Sequence, residues 1–157
     1  MAAAEARAPS ALIVSTQHWA STFQVGSHHI ARAFAARGWR VAFLGAPVHP
    51  LHLLGASEAT RERVDAWRIG GTVDPATGIW HHVPFAPLPW GARPGIRGRR
   101  WVHMAWAAAR PGLAATLRAE GFATPDLACT DHFLHEGLLR AAAPPLTLYR
   151  RADDPAT

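Results

Sequence analysis

The chain has 157 residues, 49% of them hydrophobic and 17% charged, which suffices for one domain with a buried core and excludes disorder by composition. All 16 basic residues are arginine and the formal net charge is +5, but the arginines are scattered, so the charge alone does not specify nucleic acid. The single cysteine, Cys129, excludes an internal disulfide and a multi-cysteine zinc site, and fits a reducing cytoplasm.

No apolar run approaches the roughly 20 residues of a membrane span. The apolar core ALIV near the N-terminus is shorter than the roughly 7 to 15 residues of a signal-peptide core, so residues 1–9 read as a loose lead-in. Residues 11–15, ALIVS, read as a buried strand. A helix is expected over 25–37, with Gly38 at its left-handed C-terminal position, followed by a strand in RVAFLG, 40–45. Strand, loop, helix, glycine and strand make a βαβ unit with parallel strands. HPLHLL, 49–54, suggests a helical turn. VDAWRIGG (64–71) and IWHHVPF (79–85), on either side of the turn residues Asp74, Pro75 and Gly78, read as two strands. APLPWGARPG, 86–95, is a loop, and a helical stretch over 97–120 is split by Pro111 and closed by Gly121. DLACTD (126–131) then predicts a strand, HFLHEGLLRAA (132–142) a helix, and LTLYRR (146–151) a further strand. The alternation predicts an α/β fold with a Rossmann-like open parallel sheet flanked by helices.

In such sheets ligands bind beyond the carboxyl ends of the strands, where helix N-termini favour anions. His18 lies in the first such loop and reads either as a base toward a substrate hydroxyl or as a loop histidine bonded to backbone. His28 and His29, on the first helical turns, cannot both face one ligand, and His29 is the one expected to border the packed face. Asp131 reads either as the N-cap of the following helix or as the group that orients His132. Ten histidines raise the question of a metal, but HPLH and HFLH lack HExxH spacing, and His81 and His82 on a strand point to opposite faces. No metal site is expected. WGARPGIRGRRW reads either as a solvated loop and helix start or as a surface for anionic headgroups or phosphate.

The order VGSHHIARAFAARGWRVAFLGAPVHPLHLL (25–54) resembles the opening of GT-B glycosyltransferases, most closely family-4-like and teichuronic-acid-type bacterial enzymes. The matching positions are Ala31, Phe34, Ala35, Arg37, Gly38 and Val41, with Trp39 in place of the usual histidine; DLACTDHFLHEGLLRAAAPPLTLYRRADD (126–154) extends the match. The resemblance implies an enzyme that moves a sugar from a nucleotide-sugar donor to a sugar or lipid-linked hydroxyl acceptor in cell-surface polysaccharide synthesis, with no cofactor. Residues 10–157 would be its N-terminal, acceptor-side domain. The C-terminal donor domain would be missing or separate, and the chain alone truncated and inactive. The expected site holds His132 or His18 as base with Asp131 beside it, and Gly26 and Ser27 at the helix N-terminus facing donor phosphates. Trp19, His28 and Asp153 are expected on the acceptor. The expected location is the cytoplasm, peripheral at the inner membrane face; nucleic acid is not expected as a partner. The alternative is a non-catalytic Rossmann-like module with a basic surface for lipid or another polyanion.

Overall fold

The computed structural model describes residues 7–55, 57–89, 98–110, 112–132 and 135–150. Six strands form one sheet: β1 (Ser10–Ser15), β2 (Arg40–Gly45), β3 (Thr72–Val73), β4 (Trp80–His82), β5 (Leu127–Thr130) and β6 (Leu146–Tyr149). Their order is β3-β4-β2-β1-β5-β6; every pairing is parallel except that of β3 with β4. Helices α1 (Gly26–Ala35), α2 (Pro50–Leu53), α3 (Glu58–Ile69), α4 (Arg99–Ala107), α5 (Leu113–Ala119) and α6 (Glu136–Ala142) connect them. This is the expected Rossmann-like α/β architecture.

The central strands are apolar on both sides because both sides are covered. Leu12, Val14, Ala42, Leu44 and Ala128 pack under α4, α5 and α6, through Val102, Trp106, Leu117 and Leu138. On the opposite side Ile13, Phe43, Leu127 and Cys129 pack with Ala31 of α1. A smaller cluster joins Val64 and Trp67 of α3 to Val48, Val83 and Phe85.

The end of α1 shows why the βαβ reading holds. Gly38 adopts φ +80°, its N–H donates to the Ala35 carbonyl, and the Trp39 N–H donates to the Phe34 carbonyl. That is the Schellman arrangement, sealed by the Phe34 and Trp39 rings at 4.8 Å. Gly121, at φ +77°, ends α5 with the same pair of bonds, from Gly121 to Arg118 and from Phe122 to Leu117. The helical stretch around Pro111 is split into α4 and α5, as expected.

Two elements differ from expectation. Residues 64–69 are the second half of α3, not a strand. Ser57 caps this helix by accepting the Thr60 N–H, and the chain leaves it at Gly70, φ +83°. The first hairpin strand is therefore confined to Thr72–Val73. The last helix begins at Glu136, not His132, so Asp131 is not its N-cap. The Thr130 hydroxyl instead accepts the His132 N–H at 3.2 Å, turning the chain before α6 starts.

Phe43 is completely buried between α1 and the sheet, in ring contact with Trp19 and His28. Phe43→Ala should lower the unfolding free energy by about 3–5 kcal/mol, measured by urea denaturation; a loss below about 1 kcal/mol would mean that this side of the core is not packed as described.

Candidate functional site

From β1 the chain winds outward through β2 to β4; it then returns to pair β5 on the other side of β1 and continues to β6. The switch in direction falls between β1 and β5, where the diverging connections leave a crevice at the carboxyl ends of the strands. Ser15 ends β1 at this point, Asp131 follows β5, and Gly26 and Ser27 open α1.

Asp131 is the centre of the arrangement. The Ser15 and Ser27 hydroxyls both donate to its Oδ2, each at 2.7 Å. Both serines are buried, and the carboxylate lies by the N-terminus of α1, where the helix dipole favours negative charge. Its other oxygen, Oδ1, is closed to solvent and has no hydrogen-bond partner among the described residues. A buried acceptor left open is costly, and such atoms concentrate where chemistry needs them.

Arg150 completes the crevice. Its N–H donates to the Thr130 carbonyl at 2.8 Å, extending the β5–β6 ladder. Its guanidinium lies over Gly26, where any side chain would run into it. Gly26 is not in a left-handed conformation, and a side chain there would need only a shift of the flexible Arg150 guanidinium. His132 is half-buried next to Asp131; burial lowers its pKa, and the Asp131 charge opposes that shift.

The structure thus brings Gly26, Ser27 and Asp131 to one place, while the His132 ring lies on the α6 side, 5.8 Å from that of His135. It puts His18, Trp19 and His28 to other uses. His28 is fully buried: its Nδ1 accepts the Val25 N–H at 3.2 Å, so Nε2 carries the proton and donates to the His18 carbonyl at 3.0 Å. Both ring nitrogens are spent on holding the β1–α1 loop. His29 is exposed, so His28 and not His29 is on the packed face. Trp19 stacks on His28 and donates its indole N–H to Asp74 at 3.1 Å, with the Arg32 guanidinium 4.9 Å above its ring. The side chain of His18 is 4% exposed, with Nε2 3.9 Å from Glu62. The loop expected to meet acceptor is in these three residues a packed plug. Asp153 and most of the WGARPGIRGRRW segment lie outside the described residues. Ser15 and Arg150 were not among the expected site residues; the only sequence signal for Ser15 is a hydroxyl ending an apolar strand. Among the described residues no three His, Cys, Asp or Glu side chains are grouped to hold a metal, and no helix is long and apolar enough to cross a membrane.

The mostly parallel sheet flanked by helices agrees with the Rossmann-like N-terminal half of a GT-B glycosyltransferase. Residues 13–117 match the family described as glucuronosyltransferase GumK, N-terminal domain, and the chain belongs to that family. The matched segment includes Ser15, Gly26 and Ser27 and stops before β5 and Asp131. Among curated proteins and solved structures, none matches the chain significantly.

The buried histidines make stability depend on pH. Burial pushes His135 down to about 4 and also lowers His18, His28, His81, His82 and His132. Each binds protons more weakly folded than unfolded, so stability is full above the ordinary histidine pKa of about 6.5 and falls as pH drops from there toward about 4. The thermal midpoint should be flat between pH 7 and 8 and fall steeply below about pH 6.5. His135→Gln should make that fall shallower. A midpoint independent of pH down to about 4.5 would refute the buried, neutral state of these rings.

Proposed function

We propose that this chain is the acceptor-side domain of a glycosyltransferase that moves a sugar from a nucleotide-sugar donor to a hydroxyl of a sugar or lipid-linked acceptor, in cell-surface polysaccharide synthesis. It acts with a donor-binding domain across the switch-point crevice. The observation that carries the reading is Asp131: one oxygen is fixed by two serine hydroxyls and the other has no partner among the described residues.

In this reading Asp131 is the general base. The two serines hold the carboxylate in one orientation, so Oδ1 is the atom that takes the acceptor's hydroxyl proton. The acceptor oxygen bonds to the anomeric carbon while the bond from that carbon to the donor phosphate breaks, and the electron pair leaves with the phosphate. Oδ1 is closed off in the present conformation, so acceptor entry displaces the groups that cover it. Arg150, above the first turn of α1, supplies positive charge on the side where the donor's phosphates would approach. His132 is the rival base, since burial keeps it neutral near pH 7. The family's description makes a glucuronosyl donor the first to assay. The site of action would be the cytoplasmic face of the membrane, where a nucleotide-sugar and a lipid-linked acceptor meet.

The test is release of nucleoside diphosphate by the assembled enzyme, with the donor-binding domain present. Asp131→Asn should cut turnover by about 10²-fold or more, and His132→Gln by much less. Retained turnover in Asp131→Asn, or the reverse ranking, would transfer the role to another group.

A further inference from the structure

The hydrogen bonds that fix Asp131 do not stop at the two serines; on the β1 side they continue to α3. Ser15 is the last residue of β1. Its hydroxyl has one proton and gives it to Asp131 Oδ2 at 2.7 Å. The oxygen of the same hydroxyl accepts the Gln17 N–H at 3.3 Å, closing a turn where the strand has just ended. The Gln17 N–H and the Thr16 carbonyl belong to one planar peptide and point from its opposite edges. The Thr16 carbonyl accepts an N–H of the Arg63 guanidinium at 2.9 Å. One peptide is thus held on one edge by Arg63 and on the other by the hydroxyl that meets Asp131.

We infer that Arg63 is a positioning residue for the Asp131 carboxylate, acting through the Thr16–Gln17 peptide and the Ser15 hydroxyl; the inference rests on the reading of Asp131 as the base. The two serines on Asp131 are framed differently. Ser27 stands on the first turn of α1, and the helix sets its direction. Ser15 closes its strand, pairing with Gly45 of β2, and the β5 register ends one residue earlier, at Val14. The peptide beyond Ser15 is held from outside the sheet, by Arg63. A bond to one carbonyl needs no charge, and a guanidinium drawn from water without a counter-ion is costly. Arg63 is half-buried, burial lowers its pKa, and no carboxylate among the described residues forms an ion pair with it. The adjacent Glu62 turns elsewhere, accepting the Thr22 hydroxyl at 2.7 Å and lying 3.9 Å from His18. The rings that the Arg63 charge reaches, His18 and His52, are neutral: burial lowers both, His52 to about 4. Followed along its hydrogen bonds, the guanidinium leads through one peptide and one hydroxyl to Asp131. A cation on the carbonyl polarises the peptide and strengthens the N–H on its other edge as a donor. The Ser15 hydroxyl, having accepted that N–H, donates more strongly to the carboxylate in turn. Oδ2 is held more firmly, and Oδ1 keeps the direction in which it takes the acceptor's proton.

The Gln17 amide reports on this relay without turnover. In the whole chain, labelled with nitrogen-15, Arg63→Met should move the Gln17 amide proton upfield as its bond to Ser15 weakens. Arg63→Lys should return it, because the contact is a single bond and not a bidentate pair. In the assembled enzyme, with a nucleoside-diphosphate glucuronate as donor, Arg63→Met should lower kcat about 10-fold and leave the donor KM within about twofold. Arg63→Lys should recover most of that kcat. In the Asp131→Asn background the same Arg63→Met change should lower the residual rate by less than about twofold, since the two residues act as one unit. An unmoved Gln17 amide in folded Arg63→Met, a loss that Arg63→Lys does not recover, or a full further loss on top of Asp131→Asn each overturns the role. Should Arg63→Met fail to fold, Ser15→Ala tests the relay from its other end: kcat should fall about 10-fold at unchanged donor KM, and an undiminished kcat overturns the role. The base and the relay separate. Loss of turnover in Asp131→Asn with a wild-type kcat in Arg63→Met leaves the base standing and removes the relay. Retained turnover in Asp131→Asn removes the base and this role with it, while the Gln17 shift still reports the hydrogen bonds.

Discussion

One carboxylate ties the reactive edge of this domain together. Asp131 accepts from Ser15 at the end of β1 and from Ser27 on the first turn of α1, so it links the two strands that flank the topological switch to the helix that covers them. The bonds are short and charge-assisted, and they act where the backbone ladder has just ended. The Ser27 bond fixes the start of α1 against the end of β5. The approach of Arg150 to Gly26 depends on that placement, because it needs the first turn of α1 beneath the end of β6. The polar crevice is thus a consequence of how the edge is fastened.

The β1–α1 loop is fastened separately, and by histidine. His28 reaches back to the His18 carbonyl while accepting from Val25, and Trp19 covers it and is itself anchored on Asp74. This shapes function indirectly. The plug makes the loop stiff, so Ser27 arrives at Asp131 from a fixed direction. Aromatic stacking and a neutral imidazole are suited to this role because neither leaves a charge in the core.

What was legible in the amino-acid sequence followed local physics. Gly38 and Gly121 mark their helix ends because only a residue tolerant of positive φ can close a Schellman pair there. β1, β2 and β5 are legible as short apolar runs between polar bounds. VDAWRI reads as a strand because four of its six residues are apolar; the helical signal lies in the Ser57 cap upstream and in the three-residue spacing of Val64 and Trp67. The site was legible only in part. Asp131, Ser27 and Gly26 sit where strand ends and helix starts must meet. Whether His18 or His28 faces the crevice or the core depends on loop rotation, which no spacing rule encodes. Arg150 becomes a site residue only through the pairing of β6 with β5, a contact set by topology.

The opposite end of β5 gives an internal control on Asp131. Asp126 precedes the strand and is bound to Ser10, the first residue of β1, through both its hydroxyl and its N–H, at 2.9 and 2.7 Å. Arg7 then meets both carboxylate oxygens, at 3.2 and 3.1 Å. At the amino edge, therefore, a carboxylate and a β1 serine make the same inter-strand tie with neither oxygen left over. At the carboxyl edge the tie to β1 is repeated by Asp131 and Ser15, a second serine joins it, and one oxygen is still unmatched. At Asp126 the carboxylate is 43% exposed, so solvent and Arg7 complete its bonds, whereas Asp131 is closed off from water at Oδ1. An unpaired buried acceptor costs about 1–3 kcal/mol, and nothing in the tie requires it. In the proposed reading, Oδ1 of Asp131 is the oxygen left to take the proton of an incoming hydroxyl.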